Sequence, residues 1–385
     1  MGQFPLMLLA IVAVALSAGC TQSRGAPTQS WSGIAVTDGA GFVGTREGRL
    51  IRLEIDSGMS RVAPFKAPEP DQDQGFPGIY GTPSVANGRV YIGTYNGTVF
   101  SLDAKTLGGV QSFEIDGNPL AKGIAGTVVP HGGSLVVAAA EDADQGRVYV
   151  LEADSLVETC RYPARGQPAV GQIWSTPVVH EGIAYFGDLG HSLHAVSIAD
   201  CKPVWFAPAQ LGGAIVAKPV IVAKKLYLGA FDRTFYEIDR ATGAVQALFD
   251  ATGWFWGGAT SDGTRIYVPN LDGNIYAWHI ADGRLAWVSP GDGSSDSILA
   301  TPVVFGDGSP YSPYMLAYAS DSGVMVVVRA RDGQREWDRR VGDEVRSPLT
   351  IDGRLVFLHS LDETVSAIDI ETKQLAWARD LDDIR

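Results

Sequence analysis

The stretch "IYGTPSVANGRVYIGTYNGTVFSLDAKT" from Ile79 lies without a gap on "IWSTPVVHEGIAYFGDLGHSLHAVSIAD" from Ile173. Repetition at a long fixed period constrains a fold more than composition does, because each copy must be one unit that buries its faces against its neighbours. The unit runs from a Thr-Pro through a turn to an apolar strand ending in Gly. A second turn around Asn-Gly or Asp-Gly, another alternating strand, a third turn and a last strand follow, which makes four short strands. The second-turn position is filled by Gly48, Gly97, Gly146, Gly190, Asp232, Gly273, Gly323 and Glu363. Eight copies at about 44 residues each fill 31–385 and leave no room for a second domain. The prediction is an all-β, eight-bladed β-propeller of four-stranded antiparallel blades. The 46 glycines and 21 prolines, with no sustained helical period, agree with turns and short strands. "WSGIAVTDG" opens the first copy as an innermost strand and "QLAWARDL" closes the last as an outermost one. The ring should therefore close by packing the first blade on the last, without backbone hydrogen bonds across the seam. Side-chain burial at roughly 25 cal/mol per Å² has to hold it.

The third turn carries a second signature, seen in "DGRLAW", "DGQREW" and "TKQLAW". In this form the copies resemble the tryptophan-docking motif of the pyrroloquinoline-quinone-like repeat propellers, in which each Trp packs between neighbouring blades. The Trp slot holds Trp205, Trp287, Trp337 and Trp377, while the other copies use Val62, Gln111, Cys160 and Ala247. The turn Asp or its substitute is Glu54, Asp103, Glu152, Ser197, Asp239, His279, Arg329 or Asp369, and a carboxylate there is expected to accept turn N–H bonds. Both sets read as structural. In the propellers this chain resembles, the docking Trp of one blade packs on the turn glycine of the next. Cys160 stands in the Trp slot of the third copy and Cys201 in the turn-glycine slot of the fourth, so the resemblance implies a disulfide between them. The alternative is a pair of unrelated buried thiols.

The N-terminus is set apart from the repeats. "FPLMLLAIVAVAL" is an apolar run of about thirteen residues, short of the roughly 20 that span a bilayer, and it leads into "SAGC". Residues 1–19 read as a signal peptide whose end resembles a bacterial lipobox, with Cys20 as the lipidated residue. Ser17 stands where lipoboxes usually carry Leu, and "MGQF" has no basic residue. An ordinary secreted protein is the alternative. Residues 20–30 form a polar tether. The implied location is an exported lipoprotein facing the periplasm or cell exterior, and Thr21 favours the outer membrane of two-membrane bacteria. The net charge of −13 disfavours nucleic acid and anionic lipid surfaces as partners.

Enzyme chemistry is weakly signalled. Quinone-dependent alcohol dehydrogenases, which the repeat also resembles, need a cation held by carboxylate and amide oxygens, an Asp base and basic groups for the cofactor carboxylates. They carry adjacent cysteines against the ring, whereas Cys20, Cys160 and Cys201 are all separated. No insertion is long enough for a cofactor lid. "HSLH" places His191 and His194 on opposite faces of a strand. "EDADQG", Glu141–Gly146, has alternating carboxylates that could hold calcium or simply form a solvated hairpin tip. No nucleophile elbow is present. The expectation is no catalytic residue, no bound metal and no cofactor.

Two places break the repeat. The seventh copy inserts "GDGSPYSP", carrying Tyr311 and Tyr314 between prolines, a rigid aromatic loop suited to protein contact. "GWFWGG" carries Trp254, which has no counterpart in other copies, and Trp256, which aligns with Trp31, Tyr80 and Trp174 at one end of the channel. Packing between blades is the alternative for Trp256. Lys218 and Arg346 replace small residues of other copies and meet either an anionic group or an acidic neighbour. Signal peptide, lipobox and propeller together resemble the BamB-like lipoproteins of outer-membrane β-barrel assembly. The implied role is a non-catalytic protein-interaction scaffold, with barrel-assembly components as partners and the lipid as the only membrane contact. The alternatives are a quinone-dependent dehydrogenase or a small-ligand sensor, and convergent polar groups in a pocket would mark the sensor.

Overall fold

The computed structural model describes residues 31–69, 75–290 and 296–385. The signal peptide, Cys20 and the tether lie outside the described residues. The fold is an eight-bladed β-propeller: eight sheets of four antiparallel strands, each a meander in chain order. The innermost strands begin with Ile34–Thr37, Ser84–Ala86 and Val129–His131, and the last is Thr350–Asp352. That of the first blade lies against those of both the second and the eighth, so the ring is closed. The second and third strands are almost wholly buried, as in Arg89–Gly93 and Thr98–Asp103, because a neighbouring blade covers each face. Outermost strands such as Val245–Asp250 are largely exposed.

The core is distributed. Each apolar cluster joins two neighbouring blades rather than filling one. Tyr91 and Val99 of the second blade meet Tyr149 and Leu151 of the third, and Tyr227 and Phe235 of the fifth meet Val268 and Tyr276 of the sixth. The seam has its own cluster, with Ile34, Val43 and Leu53 of the first blade on Phe357, Ala367 and Trp377 of the last. Among the described residues no backbone-to-backbone hydrogen bond crosses it, and no sheet combines strands from both ends of the chain. Side chains bond across instead. Thr350 Oγ1 donates to the Ile34 carbonyl at 2.7 Å, and His359 Nδ1 to that of Ser32 at 2.9 Å. Arg49 reaches the Leu381 and Ile384 carbonyls at 3.0 and 2.9 Å.

The second turns need a residue in the left-handed region. Gly48, Gly97, Gly273 and Gly323 supply it, and Glu363 adopts it at φ 61°. In the fourth and fifth blades the left-handed residues are His191 and Arg233, one place beyond the Gly190 and Asp232 that the sequence alignment puts there. The third blade departs further: Ser134–Asp142 and Gln145–Glu152 extend straight through the expected turn at Gly146. The hairpin is longer because Gly146 pairs with Val170 of the next connection instead of turning.

Candidate functional site

The third turns show how the blades are locked. All eight put a residue in the left-handed region four places after the turn acid or its substitute: Gly58, Leu107, Leu156, Cys201, Gly243, Gly283, Gly333 and Lys373. Asp103 Oδ1 accepts the amides of Lys105 and Thr106 at 3.0 and 2.9 Å, and Asp239 Oδ1 those of Ala241 and Thr242 at 3.1 and 3.0 Å. The Thr242 hydroxyl together with these amides holds the Asp239 carboxyl below the usual range, as the Thr106 amide and hydroxyl hold that of Asp103. Glu54 and Glu152 are engaged by Arg52 and Ser155 instead. A bulge just beyond the Trp pairing, at Ala277/Trp278 for Trp287 and Ala367/Ile368 for Trp377, twists the outer strand so that the indole faces the next blade. Trp205, Trp287 and Trp377 then lie on Gly243, Gly333 and Gly58, and their indole N–H groups donate to the carbonyls of Arg240, Ala330 and Ile55 at 2.9, 3.0 and 2.7 Å. The Trp377 joint is the seam. Trp337 and Ile370 both pack on the apolar cluster of the seventh and eighth blades, and the partner slot of Trp337 is Lys373. Cys160 and Cys201 occupy the same joint between the third and fourth blades and are bonded, with 5.8 Å between their Cα atoms.

One end of the ring collects the aromatic residues. The segments that enter each innermost strand and the turns between second and third strands share this end. Trp254 stacks on Phe231 at 5.1 Å, and Trp256 stacks on the same ring at 5.6 Å. Trp31 of the first blade meets Tyr80 at 4.8 Å and reaches across the mouth to Trp256 of the sixth blade at 6.4 Å, edge to face. Trp31, Trp174, Trp254 and Trp256 are all half-buried. The cluster reaches across the mouth and shows indole surface to solvent. Arg346, on the same rim, meets acidic neighbours: Glu344 at 2.6 Å and Asp321 at 3.3 Å. Burial outweighs that guanidinium and pushes Asp321 up to about 6.

The opposite end holds the inserted loop of the seventh blade, between the strands Val303–Phe305 and Met315–Ala319. Tyr311 is fully exposed, but Tyr314 is half-buried against the apolar cluster of the sixth and seventh blades, over Gly308. The expectation that both tyrosines are displayed is corrected: the Gly306–Gly308 turn folds Tyr314 back. The strand connections put Trp254 and the two tyrosines at opposite ends of the ring. Sequence reasoning missed Phe206, which projects fully into solvent beside docked Trp205 where Pro203 and Pro208 break the outer strand of the fourth blade. Its neighbour in sequence is docked, so the repeat alone gives no sign of it.

Lys218 differs from Arg346. It is exposed in a cavity of about 910 Å³ along the innermost strands of the fourth to seventh blades, with Val178, Val220, Ile221 and Thr301. It makes no hydrogen bond or ion pair with the described residues, and desolvation lowers its pKa. His194 is buried and bonded to Asp188 at 3.0 Å, whereas His191 is exposed. Glu141 is not at a solvated tip: it is buried, with Arg147 at 2.7 Å and the Tyr149 hydroxyl on it. Among the described residues no group of His, Cys, Asp and Glu is arranged to hold a metal ion.

Residues 288–383 match the family described as outer membrane protein assembly factor BamB. No curated protein sequence matches the chain. Among solved structures, BamB from Moraxella catarrhalis is similar with a TM-score of 0.68 at 18% identity, over 90% of this chain and 96% of that one. The computationally designed Ika8 protein gives 0.67 at 16% identity, over 90% and 98%. The quinohemoprotein alcohol dehydrogenase from Comamonas testosteroni gives 0.67 at 13% identity, over 89% and 71%. In fold the chain is an eight-bladed propeller similar to these structures, and its residues 288–383 carry the repeat that the BamB family model describes.

Proposed function

We propose that this protein is an exported propeller, anchored by a lipid on Cys20, that serves as a non-catalytic protein-interaction scaffold in outer-membrane protein assembly. The observation that carries the reading is the match of residues 288–383 to the BamB family, supported by a fold likeness to a BamB over nearly the whole of both chains. The partner face is the aromatic mouth, where half-buried Trp31, Trp174, Trp254 and Trp256 offer rigid amphipathic surface.

The likeness to a quinohemoprotein alcohol dehydrogenase supports the second reading, a quinone enzyme. The residues present do not fit that group. The mouth carboxylates Asp321 and Glu344 are taken up by Arg346, and no carboxylate cluster stands by to hold a cation among the described residues. The disulfide joins residues 41 apart at a blade joint rather than adjacent cysteines against a ring. Incubation of the purified protein with the quinone and calcium, following dye reduction with alcohols and aldose sugars, tests the point. No turnover above a heat-killed control is expected, and substrate-dependent turnover overturns the non-catalytic reading. Cys20→Ser is expected to move the protein from the membrane to the soluble fraction, and retention in the membrane refutes the lipid anchor.

A further inference from the structure

We propose that the channel cavity is a binding site for an organic anion, a carboxylate or phosphate on an apolar body, whose charged group is received by the ammonium of Lys218. The proposal does not rest on the scaffold reading. The position of Lys218 is Thr82, Thr127, Thr176 and Thr301 in other blades and Gly258 in the sixth. A small or neutral residue therefore satisfies the fold there, and the fifth blade alone places a lysine at it. The adjoining glycine leaves room: a Cβ on Gly258 would stand 3.4 Å from Lys218 Cβ and 3.0 Å from Thr301 Oγ1.

The charges of the cavity run against those of the chain. In a protein of net charge −13, the lining carries Lys218, Lys224 and Arg240 against a single carboxylate, Glu181. Arg240 already holds Glu181 at 2.6 Å, so it adds no free charge. Lys218 and Lys224 have no partner among the described residues. Lys218 is set among the strands and Lys224 stands in a turn at the open end. Between them the wall is apolar, from Val178, Val220, Ile221 and Ala259. Lys218 is exposed within the cavity and unpaired, so its ammonium is free to form a charge-assisted hydrogen bond with an anion whose apolar body lies on that wall.

The test is calorimetric titration of the purified full-length protein with hexyl phosphate, hexanoate and, as the neutral control, hexanol. Lys218→Met and Lys218→Thr are compared with Lys224→Met. At least one anion is expected to bind saturably, at least about tenfold tighter than hexanol, and to be weakened about tenfold or more in both Lys218 variants. Lys224→Met should change it by less than about threefold. Preference between the two anions distinguishes phosphate from carboxylate as the natural group. Lys218→Thr restores the residue of four other blades and is expected to melt no lower than the wild type, so it remains a folded reference if Lys218→Met does not fold. Binding no tighter than hexanol, or anion binding unchanged in Lys218→Thr, overturns the proposal.

Discussion

Single residues decide which joints of the ring are strong. Three docking tryptophans lie on a glycine of the next blade, and at Gly58 a Cβ would come within 2.5 Å of the Trp377 ring. Gly283 has the same left-handed backbone, but it faces Ala247's slot and a Cβ there meets nothing within 4 Å. Gly58→Ala is therefore expected to cost about 2–4 kcal/mol, backbone strain plus overpacking, and Gly283→Ala only about 1 kcal/mol. Chemical denaturation of both variants checks the pair, and equal losses would show that the indole contact contributes nothing. Asp321 gives a pH signature. Its folded-state carboxyl titrates at about 6, against an ordinary value of 3.8. The stability it contributes is thus fully present below about pH 4 and is lost as pH rises through 6. Relative to Asp321→Asn, the wild type should gain stability as pH falls from 7 to 4, and a gain in the other direction would show that the Arg346 pair dominates. The docking slots were legible because they recur at a fixed place in each copy. The fate of Lys218 and Arg346 was not, since whether a carboxylate faces them depends on a neighbouring blade's turn.

At the scale of strands and blades, the seam is the element that differs. In six of the other blades the amide after the first residue of the second turn bonds to the chain entering that blade, as Tyr95 does to the Gly78 carbonyl at 2.8 Å. In the first blade that amide belongs to Arg46, and it donates to Glu363 Oε1 of the eighth blade at 3.0 Å. Glu363 holds a left-handed backbone that suits glycine, is buried, and keeps Oε2 3.4 Å from His359 Nε2. Its carboxylate fastens the two ends of the ring. Glu363→Ala leaves a buried N–H unsatisfied and should cost about 1–3 kcal/mol. Arg233→Ala, at the corresponding left-handed position of the fifth blade, should stay within about 0.5 kcal/mol. Denaturation midpoints that move equally for both would refute a role for the carboxylate. The blade boundaries and the open seam could be read from "WSGIAVTDG" and "QLAWARDL", because strand order in a meander follows chain order. The lengthened hairpin of the third blade could not, since Gly146 keeps its place in the repeat while pairing with Val170 replaces its turn.

For the whole molecule, the repeat puts loop features at one end or the other, and this divides the aromatic surface. Trp31 and Trp256 come from blades far apart in sequence and meet only because the ring closes, a contact no alignment of copies displays. Tyr311 and Phe206 stand alone, whereas the mouth gathers several rings into one patch. A scaffold reading therefore commits to the mouth as the face that meets other proteins, with the channel cavity at Lys218 as a separate small-molecule site. The most direct measurement is chemical crosslinking in native membranes and capture of the tagged protein, comparing wild type, Trp254→Ser and Tyr311→Ser with folding checked by thermal melts. The wild type and Tyr311→Ser are expected to capture the same membrane β-barrel assembly components, and Trp254→Ser to lose most of them while remaining folded. Absence of such components from the wild-type capture, or their full retention by Trp254→Ser, would contradict the account.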